Sequence, residues 1–416
     1  MLKIKSLDVL KIKEFRYFVY TRLILTLAIQ MQITTIGFQV YYEYGRNELF
    51  LGLVGLVEAI PSIATSFFSG HLADIISRRR ILIFTTLALL LGSAFLFFFS
   101  SPDFLFLHSL GVMALFTIVF VFGVTRSFYS AASPAFMSQL VPRNLYTQSA
   151  TWNSIVWHTG AILGPALAGV VYGIGNENHA DWCYAINCLL FLWGLVFYLL
   201  IKPKAIPARE KHESVVDSMK AGIKFVFKNN MVLSALSLDL FAVLFGGAVA
   251  IIPAFTDKVL HLGPEANGLL RTAPAVGAVI TSFLFVFWQP GKNAGKNMLW
   301  SVAAFGAFTI AFALCTNYWL AFFMLLMTGA FDNVSVIVRH SILQLMTPDN
   351  MRGRVSAINS IFIGSSNEIG AFESGVAARF LGLVPSIIFG GGMTILVVLG
   401  VNRLNPKLRK LDITRL

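Results

Sequence analysis

Runs of about 20 apolar residues, the length a helix needs to cross a bilayer core of about 30 Å, recur between short polar gaps along nearly the whole chain. The first six fall near 17–38, 49–72, 81–100, 107–131, 150–174 and 182–201. A polar stretch from Lys202 to Asn230 follows, and six further runs lie near 231–255, 264–289, 297–315, 318–341, 355–382 and 384–401. The pattern predicts an all-α membrane protein of twelve transmembrane helices in two six-helix halves. Residues 1–201 form one half, 202–230 a cytoplasmic central loop, and 231–416 the second half with a basic tail. In the loop, Val215, Val216, Met219, Ile223 and Val226 recur at helical spacing and predict a helix along the inner interface.

Composition supports lipid as the main solvent. Of 416 residues, 56% are hydrophobic and only 12% charged, against about 45–50% and about 25% in soluble proteins. Charge then orients the chain. Of the 32 Lys and Arg, 25 fall in segments on one side of the spans. The other side holds only Arg46 and Lys258, and Arg22, Arg126, Arg271, Arg339 and Arg379 lie within spans. The positive-inside rule places both termini in the cytoplasm of an inner (plasma) membrane protein. The net charge of +12 sits in loops and does not stripe a face with aromatics, so no nucleic-acid partner is expected.

Cys183, Cys188 and Cys315 lie in or beside apolar runs with no metal-ligand spacing, so neither a disulfide, a metal nor a cofactor is expected. No HExxH, GxSxG or P-loop occurs, which argues against an enzyme. The first run has no small-residue cleavage site after it and reads as a retained helix.

The halves repeat each other. At an offset of 206, Pro142, Asn144, Asn153, Ser154 and Ile155 match Pro348, Asn350, Asn359, Ser360 and Ile361. Gly164, Gly169 and Val170 match Gly370, Gly375 and Val376 at the same offset. Gly55, Leu56 and Pro61 match Gly268, Leu269 and Pro274 at an offset of 213. Such duplication implies pseudo-symmetric halves with a substrate path between them.

Two segments carry a family resemblance. The gap after the second run reads Gly70-His-Leu-Ala-Asp74-Ile-Ile-Ser-Arg78-Arg79-Arg80, and the fifth run reads Gly160-Ala-Ile-Leu-Gly164-Pro165-Ala-Leu-Ala-Gly169. The first resembles the loop signature of the major facilitator superfamily, with Ile75 and Ser77 departing from its usual cation and glycine. The second is similar to the Gly-x-x-x-Gly-Pro signature of superfamily antiporters. Gly268-Leu-Leu-Arg-Thr-Ala-Pro274, Ser133-Pro-Ala-Phe, Phe331-Asp332-Asn333 and Asn359-Ser-Ile-Phe resemble the branch holding enterobactin exporters and macrolide efflux proteins. The resemblance implies a major facilitator fold and an exporter acting by alternating access. It implies an inner gate of Gly70, Asp74, Arg78 and Arg126, in which Asp74 contacts Arg126. It also implies a close helix contact through Gly160, Gly164, Pro165 and Gly169, with Gly164, Pro165 and Gly169 facing the other half.

Ionisable groups at membrane depth are costly and are functional candidates. Glu58, Asp239, Asp332, Glu368, Glu373 and Arg271 are therefore the proton-coupling candidates, with His158 as a further proton carrier. Counted from the ends of their runs, Glu58 shares a depth with Glu373, and Asp239 with Asp332. Two carboxylates close together in low dielectric raise one pKa, which suits a proton-driven exporter. Gln30, Gln32, Thr34 and Thr35 in the first run, with Asn333, give polar candidates for the substrate cavity among many aromatics. That mixture suits an amphipathic small molecule. The expected partners are that substrate, protons and the bilayer, with the chain a monomer. The favoured reading is a proton-coupled exporter of drug-like compounds or siderophores. An uncoupled facilitator or lipid flippase, and a membrane sensor that moves nothing, stay open.

Overall fold

In hydrocarbon every backbone N–H and C=O must be paired within the segment that carries it, so an apolar run closes into a helix. The computed structural model describes residues 5–142, 145–174, 179–204, 215–287, 293–348 and 351–412. Every regular element among them is helical. The first group is α1 (Lys13–Tyr42), α2 (Glu48–Ile75), α3 (Arg78–Ser100), the short α4 (Leu105–His108), α5 (Val112–Leu140), α6 (Tyr146–Tyr172) and α7 (Ala180–Leu200). The loop helix α8 (Val215–Lys228) follows. The second group is α9 (Asn230–Gly246), α10 (Ile252–Lys258), α11 (Pro264–Leu270), α12 (Ala273–Phe287), α13 (Ala294–Ala313), α14 (Tyr318–Met346), α15 (Arg352–Leu381), α16 (Leu383–Leu404) and the short α17 (Pro406–Arg409).

Eleven stretches among the described residues are long and apolar enough to cross a membrane, one fewer than the twelve expected. The difference is α15. At 30 residues it is long enough, but Asn359, Ser365, Ser366, Asn367, Glu368, Glu373 and Ser374 make it too polar to count by hydropathy. Two stretches are also interrupted where the sequence pattern predicts unbroken helices. Asn230–Lys258 breaks at Gly247 into α9, a 3₁₀ turn and α10, and Pro264–Phe285 breaks at residues 271–272 between α11 and α12.

The chain packs as two compact units. One comprises Met1–Tyr44, Ile60–Lys211 and Gly263–Leu269; the other comprises Gly45–Ala59, His212–Leu262 and Leu270–Leu416. In the first, α1 is the central helix, with Leu25, Ala28, Met31, Phe38 and Val40 buried among others. In the second, the Phe255 and Phe312 rings meet with centroids 4.3 Å apart, tilted by 37°, inside a core joining α10, α12, α13, α14 and α16. The loop helix α8 buries Val226 against Val232, Leu236, Val355 and Ile358, whereas Ile223 is exposed.

Candidate functional site

In the first unit the glycines of α6 bring two backbones together. A Cβ on Gly164 would lie 2.6 Å from Cβ of Gln30, and one on Gly160 would lie 2.6 Å from the Thr26 methyl, so both face α1. Gly169 instead faces α11: its Cβ would lie 2.7 Å from Cα of Gly268, and a Cβ on Gly268 would lie 2.5 Å from the Pro165 carbonyl oxygen. The expectation that Gly164 faces the other half is therefore revised, because small residues specify a close neighbour and not which helix supplies it.

Within α1, Thr34 donates to its own helix at Gln30 O (2.8 Å). Gln30 is half-buried beside Gly164. Gln32 is buried and its Nε2 has no hydrogen-bond partner, which leaves it the cavity candidate with an unused donor. Arg22, also in α1, donates to Asn153 Oδ1 of α6 (3.2 Å) and lies over the Tyr129 ring of α5 at 5.3 Å. His158 has a buried Nδ1 without a partner and meets the Trp157 ring edge-on.

At the α1–α2 end of this unit lies a polar network that the sequence pattern does not single out. Gln39 donates to Glu43 Oε2 (2.9 Å) and to Ser100 Oγ (2.8 Å). Tyr172 donates to Glu43 Oε1 (3.1 Å), and Tyr184 to Gln39 Oε1 (2.9 Å). Glu43 is exposed as a residue, yet its carboxylate turns onto these partners; burial pushes its pKa above the ordinary value, against the two hydrogen bonds that pull it down.

At the opposite end the arginines after α2 cap helix C-termini. Arg78 donates to Ala73 O (3.2 Å) and Ala135 O (3.0 Å), and Arg79 to Tyr198 O (3.1 Å) and Leu199 O (3.0 Å). A cation is favourable against the negative end of a helix dipole. Gly70 has open space where a Cβ would go, so packing does not require glycine there. Arg126 is exposed on α5. The Asp74 side chain, and with it the expected Asp74–Arg126 contact, lies outside the described residues.

In the second unit the start of α2 packs against α15. A Cβ on Gly375 would lie 2.6 Å from Cα of Gly52, and one on Gly55 would lie 2.7 Å from Cβ of Ala371 and 2.9 Å from the Glu368 carbonyl. This antiparallel register brings Glu58, buried on α2, level with Glu368. Glu373 lies two residues past Ala371, about 200° around the helix and so on its far side from α2. The depth count that matched Glu58 to Glu373 is thus off by about a turn and a half, because it takes the ends of α2 and α15 as level, whereas the register is set by the glycine contacts.

Two ion pairs join the start of α2 to the end of α10: Arg46 with Asp257 (3.2 Å) and Lys258 with Glu48. Gly45 and Arg46 both take positive φ, 82° and 53°, in the tight turn from which Arg46 reaches Asp257. Arg46 and Lys258 are the two basic residues that the charge count isolates on its sparse side, which was the available signal for this clasp.

Asp239 of α9 pairs with Arg339 of α14; both are buried, and Arg339 Nε has no partner. Asp332 lies seven residues, about 10 Å, along α14 from that pair. Asn333 donates to Ala278 O (3.0 Å) and Ser282 Oγ (2.9 Å), tying α14 to α12. Arg271 sits at the α11–α12 break. At the α9 break, Ser374 of α15 donates to the freed Gly247 carbonyl (3.5 Å). Broken helices at membrane depth line sites where backbone groups can serve a ligand.

Solved structures with this fold include a D-xylose-proton symporter (TM-score 0.74, 14% identity, 96% of this chain and 99% of that one). A peptide transporter of the POT family matches with a TM-score of 0.75 at 13% identity over 96% of each chain. Among curated proteins, the staphyloferrin A transporter of Staphylococcus aureus is 21% identical over 88% of this chain and 89% of its own. The enterobactin exporter EntS of Shigella boydii is 24% identical over 65% of this chain; the match spans 63% of the exporter's length, a little under two thirds. The family described as transmembrane secretion effector matches residues 6–415, and the chain therefore belongs to that family of multi-pass transporters within the major facilitator superfamily.

Proposed function

We propose that this protein is a proton-coupled exporter of amphipathic small molecules of the siderophore kind, working by alternating access in the inner membrane with both termini in the cytoplasm. The observation that carries the reading is the carboxylate pair level with each other on α2 and α15. Glu58 is buried in the apolar stretch Leu53-Val-Gly-Leu-Val-Glu58-Ala-Ile-Pro61, and Glu368 sits on the face of α15 that meets α2. Carboxylates at membrane depth are functional candidates by default, and these two are the groups we assign to proton exchange during the transport cycle. Asp239 against Arg339 is the second candidate, since protonation of Asp239 releases the arginine. Two relatives whose names give siderophore transport, staphyloferrin A and enterobactin, support the substrate class. Gln32, with its unused buried donor, is the polar group offered to the substrate.

The test is Glu58→Gln in proteoliposomes. Substrate exchange without a gradient is expected at the wild-type level, with transport driven by a pH gradient lost. Gradient-driven efflux by the variant at the wild-type rate refutes the assignment.

A further inference from the structure

A cavity of about 850 Å³ opens where α8, α9, α16 and α17 meet. Its place in the membrane follows from the spans beside it. One apolar span begins at Asn230 and another ends at Leu404, and both residues line the cavity. The cavity therefore lies at the polar ends of two spans, where apolar and charged residues meet.

Its walls are of two kinds. The polar wall is built and already satisfied: Asn229 accepts from Met231 N (3.1 Å) and Val232 N (3.3 Å), and Asn405 donates to Asn230 O (3.1 Å) and Ser234 Oγ (2.9 Å). Two charged residues line the cavity, Lys228 and Lys407, and both are exposed cations; no carboxylate lines it among the described residues. The helix ends here offset one another, α9 beginning where α8 and α16 end, so the two lysines set the charge of the cavity. The apolar wall includes Leu404, 87% exposed and the most exposed large hydrophobic residue described. Next to it α8 presents exposed Ile223 and Phe227 beside a stripe of exposed Lys220, Lys224 and Lys228.

A ligand that satisfies both walls carries a negative head and a hydrocarbon chain. We propose that this cavity binds one anionic phospholipid, its phosphodiester between Lys228 and Lys407 and its acyl chain along Leu404. Cations without a carboxylate have nothing to offer the ammonium of a zwitterionic headgroup, so the charge selects the anionic lipid. The bound lipid fastens the loop helix α8 to the ends of α9 and α16.

Native mass spectrometry of the full chain in detergent tests this, titrating phosphatidylglycerol, phosphatidylethanolamine and glycerol 3-phosphate. The wild type is expected to retain phosphatidylglycerol at roughly tenfold lower concentration than phosphatidylethanolamine and to retain no glycerol 3-phosphate. Lys228→Gln with Lys407→Gln should abolish the preference. Both lysines are exposed, so the melting temperature should be unchanged. Arg409→Gln with Lys410→Gln, which removes equal charge away from the cavity, should keep the preference. A double variant at Lys228 and Lys407 that still prefers phosphatidylglycerol overturns the proposal. So does a wild type without preference, and glycerol 3-phosphate retained as tightly as the lipid overturns the assignment to a lipid.

Discussion

Arg339 is nearly inaccessible, and Asp239 is the carboxylate against it. A buried ion pair gives little net stability, but breaking it by removing one partner costs about 3–5 kcal/mol, because the other charge is left unpaired. Asp239→Asn should therefore lower the thermal stability measured in detergent by an amount of that order. Asp239→Leu combined with Arg339→Met should recover most of it, since a packed apolar pair replaces the ion pair without an orphan. A single Asp239→Asn variant as stable as wild type would show that the pair is not holding α9 to α14. Glu43 gives a prediction in pH. Its folded pKa lies above the ordinary carboxylate value of 4.5, so the folded state binds this proton more readily than the unfolded one. Its contribution to stability is complete below that value and is lost as pH rises through the folded pKa. Glu43→Gln should flatten the melting-temperature profile over that window and raise stability at its alkaline end. An unchanged profile would place the carboxylate in water.

At the scale of helices, both glycine contacts lie inside one compact unit and should fail alike. A leucine at Gly164 would drive into α1 at Gln30 and Leu27, and one at Gly375 would push the start of α2 away from α15. Gly164→Leu and Gly375→Leu are each expected to lower expression and melting temperature. A wild-type melting temperature in either variant would contradict the close contact there. Helix positions were legible in the sequence because bilayer thickness sets one length for every span. The breaks at Gly247 and Thr272 were not, since hydropathy runs through them without a gap and only tertiary partners such as Ser374 satisfy the freed carbonyls. The polar α15 was legible as a span by its length and its repeat match to α6, although hydropathy alone passes over it. Depth along a helix was legible only to about a turn or two. Glu58 falls level with Glu368 and not Glu373, and Asp239 pairs with Arg339 and not Asp332, because side-chain packing between helices sets their register and their ends need not be level.

For the molecule as a whole, membership of the transmembrane secretion effector family and the major facilitator fold establish a transporter, and the energy source is the central proposal. Everted membrane vesicles containing the protein, supplied from outside with a panel of amphipathic dyes and siderophore-like chelators, test it most directly. Accumulation inside the vesicles should follow an imposed inside-acid proton gradient, collapse when an uncoupler dissipates it, and be absent in vesicles lacking the protein. Accumulation at the same rate and to the same level with the gradient dissipated would contradict proton coupling and leave a facilitator.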